Sequence, residues 1–332
     1  DPVKQKKEYE RLFEVFAAHD IGFFFYNGGG DSQDTTFKVS EMAKKLKFPL
    51  QCIGIPKTVD NDLPYTDCSP GFGSVAKYVA TSTLEAGLDV KSMAETSTKV
   101  FILEVMGRHA GWIAAASCLA ASNQGDPPHI ILLPEVPFEK NKFIAQVKQT
   151  VKSNGYCVIV ASEGTKTKAG KFLADSGLTD AFGHKQLGGV APVISSMISK
   201  IGLKNHWAVA DYLQRSARHI ASKTDLDQAY AVGEHAVKLA VAGKTAVMPI
   251  IKRISDSPYK WKITTAPLKN IANVEKSMPR KFISKNGFEI TSAGRKYLSP
   301  LIQGEAPTNF KFGIPEVALL KKTFVKKKLK EF

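Results

Sequence analysis

Five short apolar runs, Ile21–Tyr26, Gln51–Ile55, Val100–Val105, His129–Leu133 and Cys157–Ala161, are separated from one another by amphipathic stretches. Apolar residues spaced three and four apart predict helices over roughly Tyr9–Ala18, Asp34–Lys47, Phe72–Ala86, Ala110–Ala121, Asn141–Ser153, Val190–Ile201 and Leu226–Ala242. Strand and helix in alternation leave few solutions, because parallel strands need a crossover and the crossover helices must cover the sheet. The expected fold is therefore α/β with mainly parallel sheets. A chain of 332 residues, 43% of them hydrophobic, can bury two cores. It shows no internal repeat, low-complexity tract or flexible linker, so two lobes are expected to interweave.

The segments that follow the strands carry the chemistry. Ile21–Tyr26 runs into Asn27-Gly28-Gly29-Gly30-Asp31-Ser32, and Gln51–Ile55 into Pro56-Lys57-Thr58-Val59-Asp60-Asn61-Asp62. Val100–Val105 runs into Met106-Gly107-Arg108-His109, and Cys157–Ala161 into Ser162-Glu163-Gly164-Thr165. Ligands bind at the carboxyl edge of an open parallel sheet, so these four loops are expected to converge on one crevice. The glycine loop reads as a phosphate cradle: its backbone can approach an anion closely, and the following helix points its positive end at it. Asp31 stands in that loop as a candidate ligand for Mg²⁺. The loop matches neither the P-loop pattern nor the dinucleotide fingerprint. Lys57, Thr58, Asp60 and Asp62 together offer the cation, hydroxyl and carboxylates that phosphoryl transfer requires. Residues 54–62 alone fit an ordinary surface turn equally well, since Pro, Asn and Asp are turn formers.

Charge narrows the partners. Lysine and arginine number 46 against 31 acidic residues, a formal +15 that suggests an anionic partner. Six of the lysines fall in Lys321–Phe332, where a solvated tail is the plain reading. Aromatic residues do not alternate with the basic ones, so nucleic acid is not expected. No apolar run approaches the roughly 20 residues of a membrane span, and Asp1–Lys7 lacks the apolar core of a signal peptide. Cys52, Cys68, Cys118 and Cys157 are scattered without metal-ligand spacing, which fits a reducing cytoplasm.

Taken in order, Pro56–Asp62, Met106-Gly107-Arg108-His109-Ala110-Gly111-Trp112, Glu163 and Tyr212-Leu213-Gln214-Arg215-Ser216 resemble the motifs of the phosphofructokinase family, from about Ile21 to the chain end. The resemblance implies two lobes around an active-site crevice. A phosphoryl-donor lobe would take residues 1–80 plus about 214–265, and a sugar-phosphate lobe about 81–213 plus 266–332. It implies transfer of a phosphoryl group to the 1-hydroxyl of fructose 6-phosphate. Asp60 would take the hydroxyl proton, with Thr58 and Asp62 supporting the transferred group and its metal. Gly30 and Asp31 would bind the donor with Mg²⁺, Arg108 would offset developing charge, and Met106, Gly107 and Glu163 would contact the sugar. Lys99, Tyr212 and Arg215 would lie at the 6-phosphate.

Lysine at position 57 marks family members that use inorganic pyrophosphate, whereas ATP-using members commonly carry glycine there. The implied reaction is therefore reversible transfer from pyrophosphate; the alternatives are an ATP-dependent kinase or a non-catalytic regulatory subunit. A homodimer or homotetramer with a shared sugar-phosphate site is implied as well. The chain departs from the family at several positions. Lys99 and His206 stand at arginine positions, Tyr212 replaces a histidine, and Ser32 stands where many pyrophosphate-using relatives have a second aspartate. Phe182–Gly189 repeats the Gly-His-x-Gln pattern without its arginine, and His184 reads as structural. The family's opening strand and Gly-Gly-x-x-Pro-Gly loop do not precede Asp1, so about 80 residues are expected to be missing.

Overall fold

The computed structural model describes residues 6–179, 185–187 and 189–332. Residues 180–184 and 188, which hold the His184 reading, lie outside the described residues, as do residues 1–5 of the amino-terminal reading. The first part of the chain runs α1 (Lys6–Ala18), β1 (Phe23–Gly28), α2 (Gly30–Lys45), β2 (Gln51–Pro56), α3 (Phe72–Met93) and β3 (Val100–Val105). Next come α4 (Trp112–Ala116), β4 (Ile130–Leu132), α5 (Lys140–Asn154), β5 (Cys157–Ser162), β6 (Asp175–Thr179) and β7 (Lys185–Leu187). The last part holds α6 (Val190–Ser199), β8 (Asn205–Val209), α7 (Asp211–Ser216), α8 (Lys223–Val241), β9 (Val247–Asp256), β10 (Tyr259–Pro267) and α9 (Ser292–Leu298).

These strands build two four-stranded sheets. One has the order β1-β2-β9-β10, parallel except for the β9/β10 hairpin, and the other, β4-β5-β3-β8, is parallel throughout. The expected α/β class holds. Strands β3 and β5 are enclosed on both faces, with Val100, Ile102, Cys157, Ile159 and Val160 fully buried, which is why they read as continuous apolar runs.

Register decides where the loops go. β1 pairs with β2 from Phe23↔Gln51 to Gly28↔Pro56, and β3 pairs with β5 from Val100↔Cys157 to Val105↔Ser162. Both pairs end flush at their carboxyl ends. The glycine loop therefore starts beside the lysine turn, and the Arg108 loop starts beside the Glu163 loop.

Three strands of the two four-stranded sheets were not among the expected elements. β8 is an edge strand with His206, Trp207, Ala208 and Val209 exposed, so its short Trp207–Ala210 run lacks the buried length that marks the central strands. In the β9/β10 hairpin, Lys252, Arg253, Lys260 and Lys262 interrupt the apolar positions. The helix expected over Ala110–Ala121 is only α4 followed by a tighter turn at Ser117–Ala120, because Gly111 supplies its start and every residue of α4 is buried. Helix α2 begins four residues earlier than Asp34, at Gly30, which brings Asp31 into its first turn.

One glycine shows how tightly the loops are apposed. A Cβ on Gly164 would sit 2.1 Å from the Arg108 carbonyl oxygen and 2.6 Å from that of Gly107, both backbone atoms that cannot swing aside. Gly164→Ala is therefore expected to destabilise the fold by about 3 kcal/mol, read as a lower urea midpoint at unchanged slope. An unchanged midpoint would show that the two loops are not locked together.

Candidate active site

The glycine loop and the lysine turn are joined from below by a buried side chain. The Gln33 Nε2 donates to the carbonyls of Gly28 (2.9 Å) and Ile55 (3.1 Å), and the Lys57 amide donates to Gly28 O at 3.1 Å. Gly54 makes room for this staple, since a Cβ there would fall 1.9 Å from Gln33 Oε1. Past Lys57, the Asp60 amide donates to Thr58 Oγ1 at 3.2 Å, closing a hydroxyl turn. Asn61 then takes a left-handed conformation, φ 54°, and its side chain is wholly buried. Its Oδ1 accepts from the Ser69 amide (3.0 Å) and the Lys276 ammonium (3.2 Å), and its Nδ2 donates to the Tyr297 hydroxyl (3.0 Å). With Asn61 turned inward, both flanking aspartates line the cleft.

That cleft has a volume of about 710 Å³. The start of α2 contributes Gly30, Asp31 and Ser32, and the lysine turn contributes Thr58, Asp60 and Asp62. The loop after β3 adds Arg108 and His109, and the loop after β5 adds Glu163. The four loops expected to converge do meet here. Gly107, at φ 127° and with the Ala110 carbonyl oxygen 2.7 Å from where a Cβ would sit, turns the chain so that Arg108 follows.

A second cleft of about 660 Å³ lies on the other side of the turn and shares Thr58 and Asp60 with the first. Lys57 lines this second cleft, together with Gln214, Arg215 and Arg218. The Met106 amide donates to Gln214 Oε1 at 3.4 Å and so ties the β3 loop to α7. Tyr212 is 63% exposed, with the Arg215 guanidinium 4.1 Å from its ring centroid, and lines neither cleft. Lys99 stands at the other end of β3 from Met106, its ammonium donating to the carbonyls of Ala94 and Glu95. His206, opposite Phe101 on β8, is at that same end. Neither Lys99 nor His206 lines either of these two clefts.

Burial and crowded carboxylates set the electrostatics. The Asp60 carboxyl is pushed up to about 7, first by burial and then by Asp62 and Glu163, with Arg108 and Lys57 pulling the other way. Burial also raises Asp62 and Glu163; Arg108 opposes the rise at Glu163. Asp62 Oδ1 is buried and has no hydrogen-bond partner. A surplus of carboxylates with an orphaned oxygen suits a cation. Among the described residues no three acidic, histidine or cysteine side chains are grouped to cage a metal. The arrangement fits a hard cation held through one or two carboxylates rather than an all-protein cage.

The cleft's remaining wall went unpredicted. Asn273, Val274 and Glu275 line it. Asn273 Nδ2 donates to Asp34 Oδ1 at 3.0 Å, and Glu275 Oε2 lies 3.9 Å from His109 Nδ1. This strap has neither periodicity nor a glycine signal, so no sequence pattern marks it. Lys276 follows it, its ammonium drawn down to about 8 by burial.

Comparison with known proteins places the chain. The sequence model of the phosphofructokinase family, described as "Phosphofructokinase", matches residues 1–240. The chain is 63% identical over 98% of its length to the pyrophosphate–fructose 6-phosphate 1-phosphotransferase of Halomonas elongata, and covers 78% of that protein. It superposes with TM-score 0.90 on the crystal structure of a pyrophosphate-dependent phosphofructokinase from Marinobacter aquaeolei, at 60% identity, covering 98% of this chain and 79% of the other. The corresponding enzyme from Nitrosospira multiformis gives TM-score 0.92 and 58% identity, over 99% and 80% of the two chains. Loops that sequence and register bring to one crevice are thus set in a fold that matches these proteins over nearly all of this chain and about four-fifths of theirs, and the chain belongs to the phosphofructokinase family.

Proposed function

We propose that this protein transfers a phosphoryl group reversibly between inorganic pyrophosphate and the 1-hydroxyl of fructose 6-phosphate, giving fructose 1,6-bisphosphate and phosphate. The observation that carries the reading is Asp60: a carboxylate raised by burial, at the junction of two clefts, beside Arg108 and a helix amino terminus. The names of the relatives support the same substrates.

In this reading the diphosphate lies over Gly30 at the start of α2, where free backbone N–H groups and the helix dipole favour an anion. Magnesium, entering with the diphosphate, would neutralise phosphate charge, and Asp31 and Asp62 are the residues to hold it. Asp60 accepts the proton of the attacking hydroxyl; a pKa of about 7 makes it a stronger base than an ordinary carboxylate while leaving about half of it ionised at neutral pH. Arg108 offsets charge on the transferred group. Glu163 accepts hydrogen bonds from the sugar, Met106 and Gly107 border it, and Arg215 meets its 6-phosphate, its guanidinium backed by the Tyr212 ring. Lys57 supplies charge to the pyrophosphate and takes space that a nucleotide would need. The sheet containing β1 and β2, with residues 1–80 and about 214–265, forms the donor lobe, and residues about 81–213 with 266–332 form the sugar lobe. Lys99 lies outside its own chain's clefts, so its role at the 6-phosphate belongs to a partner's site in a cytoplasmic homodimer or homotetramer.

Asp60→Asn is expected to lower kcat by roughly a thousandfold or more while sugar-phosphate binding persists. Binding and turnover falling together would refute its role as base. The same substitution tests linkage. Because the folded carboxyl titrates near 7 and its ordinary value is 3.8, the fold disfavours the charged form, and stability is lost as pH rises from about 4 through 7. At pH 8, Asp60→Asn should therefore stabilise the protein, on the order of 2 kcal/mol after allowance for partial exposure.

Activity runs the opposite way: kcat/KM should fall as pH drops below about 7 and Asp60 takes up its proton. A profile flat from pH 8 to 5 would count against the assignment.

Donor choice is tested by phosphate release with pyrophosphate and with ATP. Pyrophosphate alone is expected to turn over, and Lys57→Gly to raise its KM roughly tenfold or more. Turnover with ATP and none with pyrophosphate would overturn the donor assignment.

A further inference from the structure

Burying a lysine is costly unless its charge is fully engaged. Lys276 is engaged through every polar atom it has. Its ammonium donates to Asn61 Oδ1 (3.2 Å), Thr66 O (3.0 Å) and Asp67 O (3.0 Å), which matches three donors to three acceptors. Its amide donates to Asp62 O at 2.6 Å, and its carbonyl accepts from Trp112 Nε1 at 3.1 Å. The ammonium also lies 5.4 Å from the Trp112 ring centroid, within cation–π range.

These contacts converge on one object. Asp62 and Asn61 belong to the lysine turn, while Thr66 and Asp67 are the next segment of the same chain, itself fastened to β9 by Asp67 N→Ile251 O at 2.8 Å and Ile251 N→Thr66 Oγ1 at 3.0 Å. Trp112 opens the helix that follows the Arg108 loop. Immediately before Lys276 runs the strap Asn273–Glu275, which forms the wall of the cleft facing the two aspartates and is tied at its other end to Asp34 on α2.

We propose that Lys276 is a positioning residue for phosphoryl transfer: by binding the Asn61–Asp62 turn with both its amide and its ammonium, it fixes the spacing between the catalytic turn and the Asn273–Glu275 strap. Lys276 itself does not line the cleft. Its effect passes through Asn61, whose left-handed conformation sets Asp60 and Asp62 on the cleft side, and through the strap, whose Glu275 carboxylate acts electrostatically on Asp62. The ammonium's charge is needed because a neutral side chain could not satisfy three oxygen acceptors at once, and a freed Asn61 Oδ1 would leave the Ser69 amide as its remaining partner. A displacement of about 1 Å at a reacting group costs roughly a hundredfold in rate.

This inference rests on the phosphoryl-transfer reading, so the test separates the two. Wild-type protein, Lys276→Met and Lys276→Arg are compared by urea unfolding, equilibrium binding of fructose 6-phosphate, and kcat with pyrophosphate. If the wild type makes no phosphate from pyrophosphate, the functional reading fails first. Given wild-type turnover, Lys276→Met is expected to unfold cooperatively, to bind the sugar phosphate within about threefold of wild type, and to lose kcat by roughly a hundredfold. Lys276→Arg keeps the charge and the packing on Trp112 but cannot place three donors on the same oxygens, so it should lose at least about tenfold. Either variant folding with kcat within about twofold of wild type would overturn the proposal. So would failure of both to fold, or a loss of sugar binding equal to the loss of kcat, since each would make Lys276 a residue of stability alone.

Discussion

A single buried asparagine in a left-handed turn holds the site together. Asn61 receives the Ser69 amide from its own loop and the Lys276 ammonium from a strap more than 200 positions along the chain, and it gives its amide to Tyr297. Tyr297 in turn donates to Asp67 O, and Arg253 from β9 grips the Asp67 carboxylate through Nε at 2.9 and 3.1 Å while its Nη2 reaches Tyr297 O. The network spans the lysine turn, the β9/β10 hairpin and the last helices. Partly satisfied, such a buried polar network would be worse than an apolar core; fully satisfied, it specifies one arrangement. Asparagine suits the position because it tolerates positive φ and has both a donor and an acceptor to offer.

The rigidity behind the turn permits the tension in front of it. Asp60, Asp62 and Glu163 are all raised by burial, a condition that disfavours the charged fold and would relax if the loops could open. The Gln33 staple below, the Gly107 and Gly164 backbone contacts beside, and the Asn61 network behind prevent that opening. Carboxylates held close against their own repulsion are then poised for a cation and for a proton. Stability is lost locally where function is gained, as is common at active sites.

Much of this was legible before any coordinates. All five apolar runs became strands, β2 to β5 largely buried and the edge strand β1 with Phe23, Phe25 and Tyr26 exposed, and the loops after four of them already carried Asp31, Lys57, Thr58, Asp60, Asp62, Arg108 and Glu163. What stayed hidden shared a physical cause. β8 faces outward along one edge, β9 and β10 carry lysines on their open face, and the strap at Asn273–Glu275 has no regular structure, so none of them imposes a periodicity on its residues. Lys99 and His206 show the converse: they stand at the family's arginine positions in sequence, yet lie at the amino ends of their strands, outside the two clefts described.

Strand-helix alternation and loop chemistry are local properties of the chain, so the fold class, the sheet edge at which function gathers and the residue types of the phosphoryl-handling turn can be read from the residues in order. Packing in three dimensions separates Lys57 from Asp60, one lining the second cleft alone and the other standing at the junction of both. It also decided that Asp60 titrates near 7 and that Lys276 completes the turn. These outcomes depend on desolvation and on contacts between segments far apart in sequence. Neither leaves a periodicity for the chain to display.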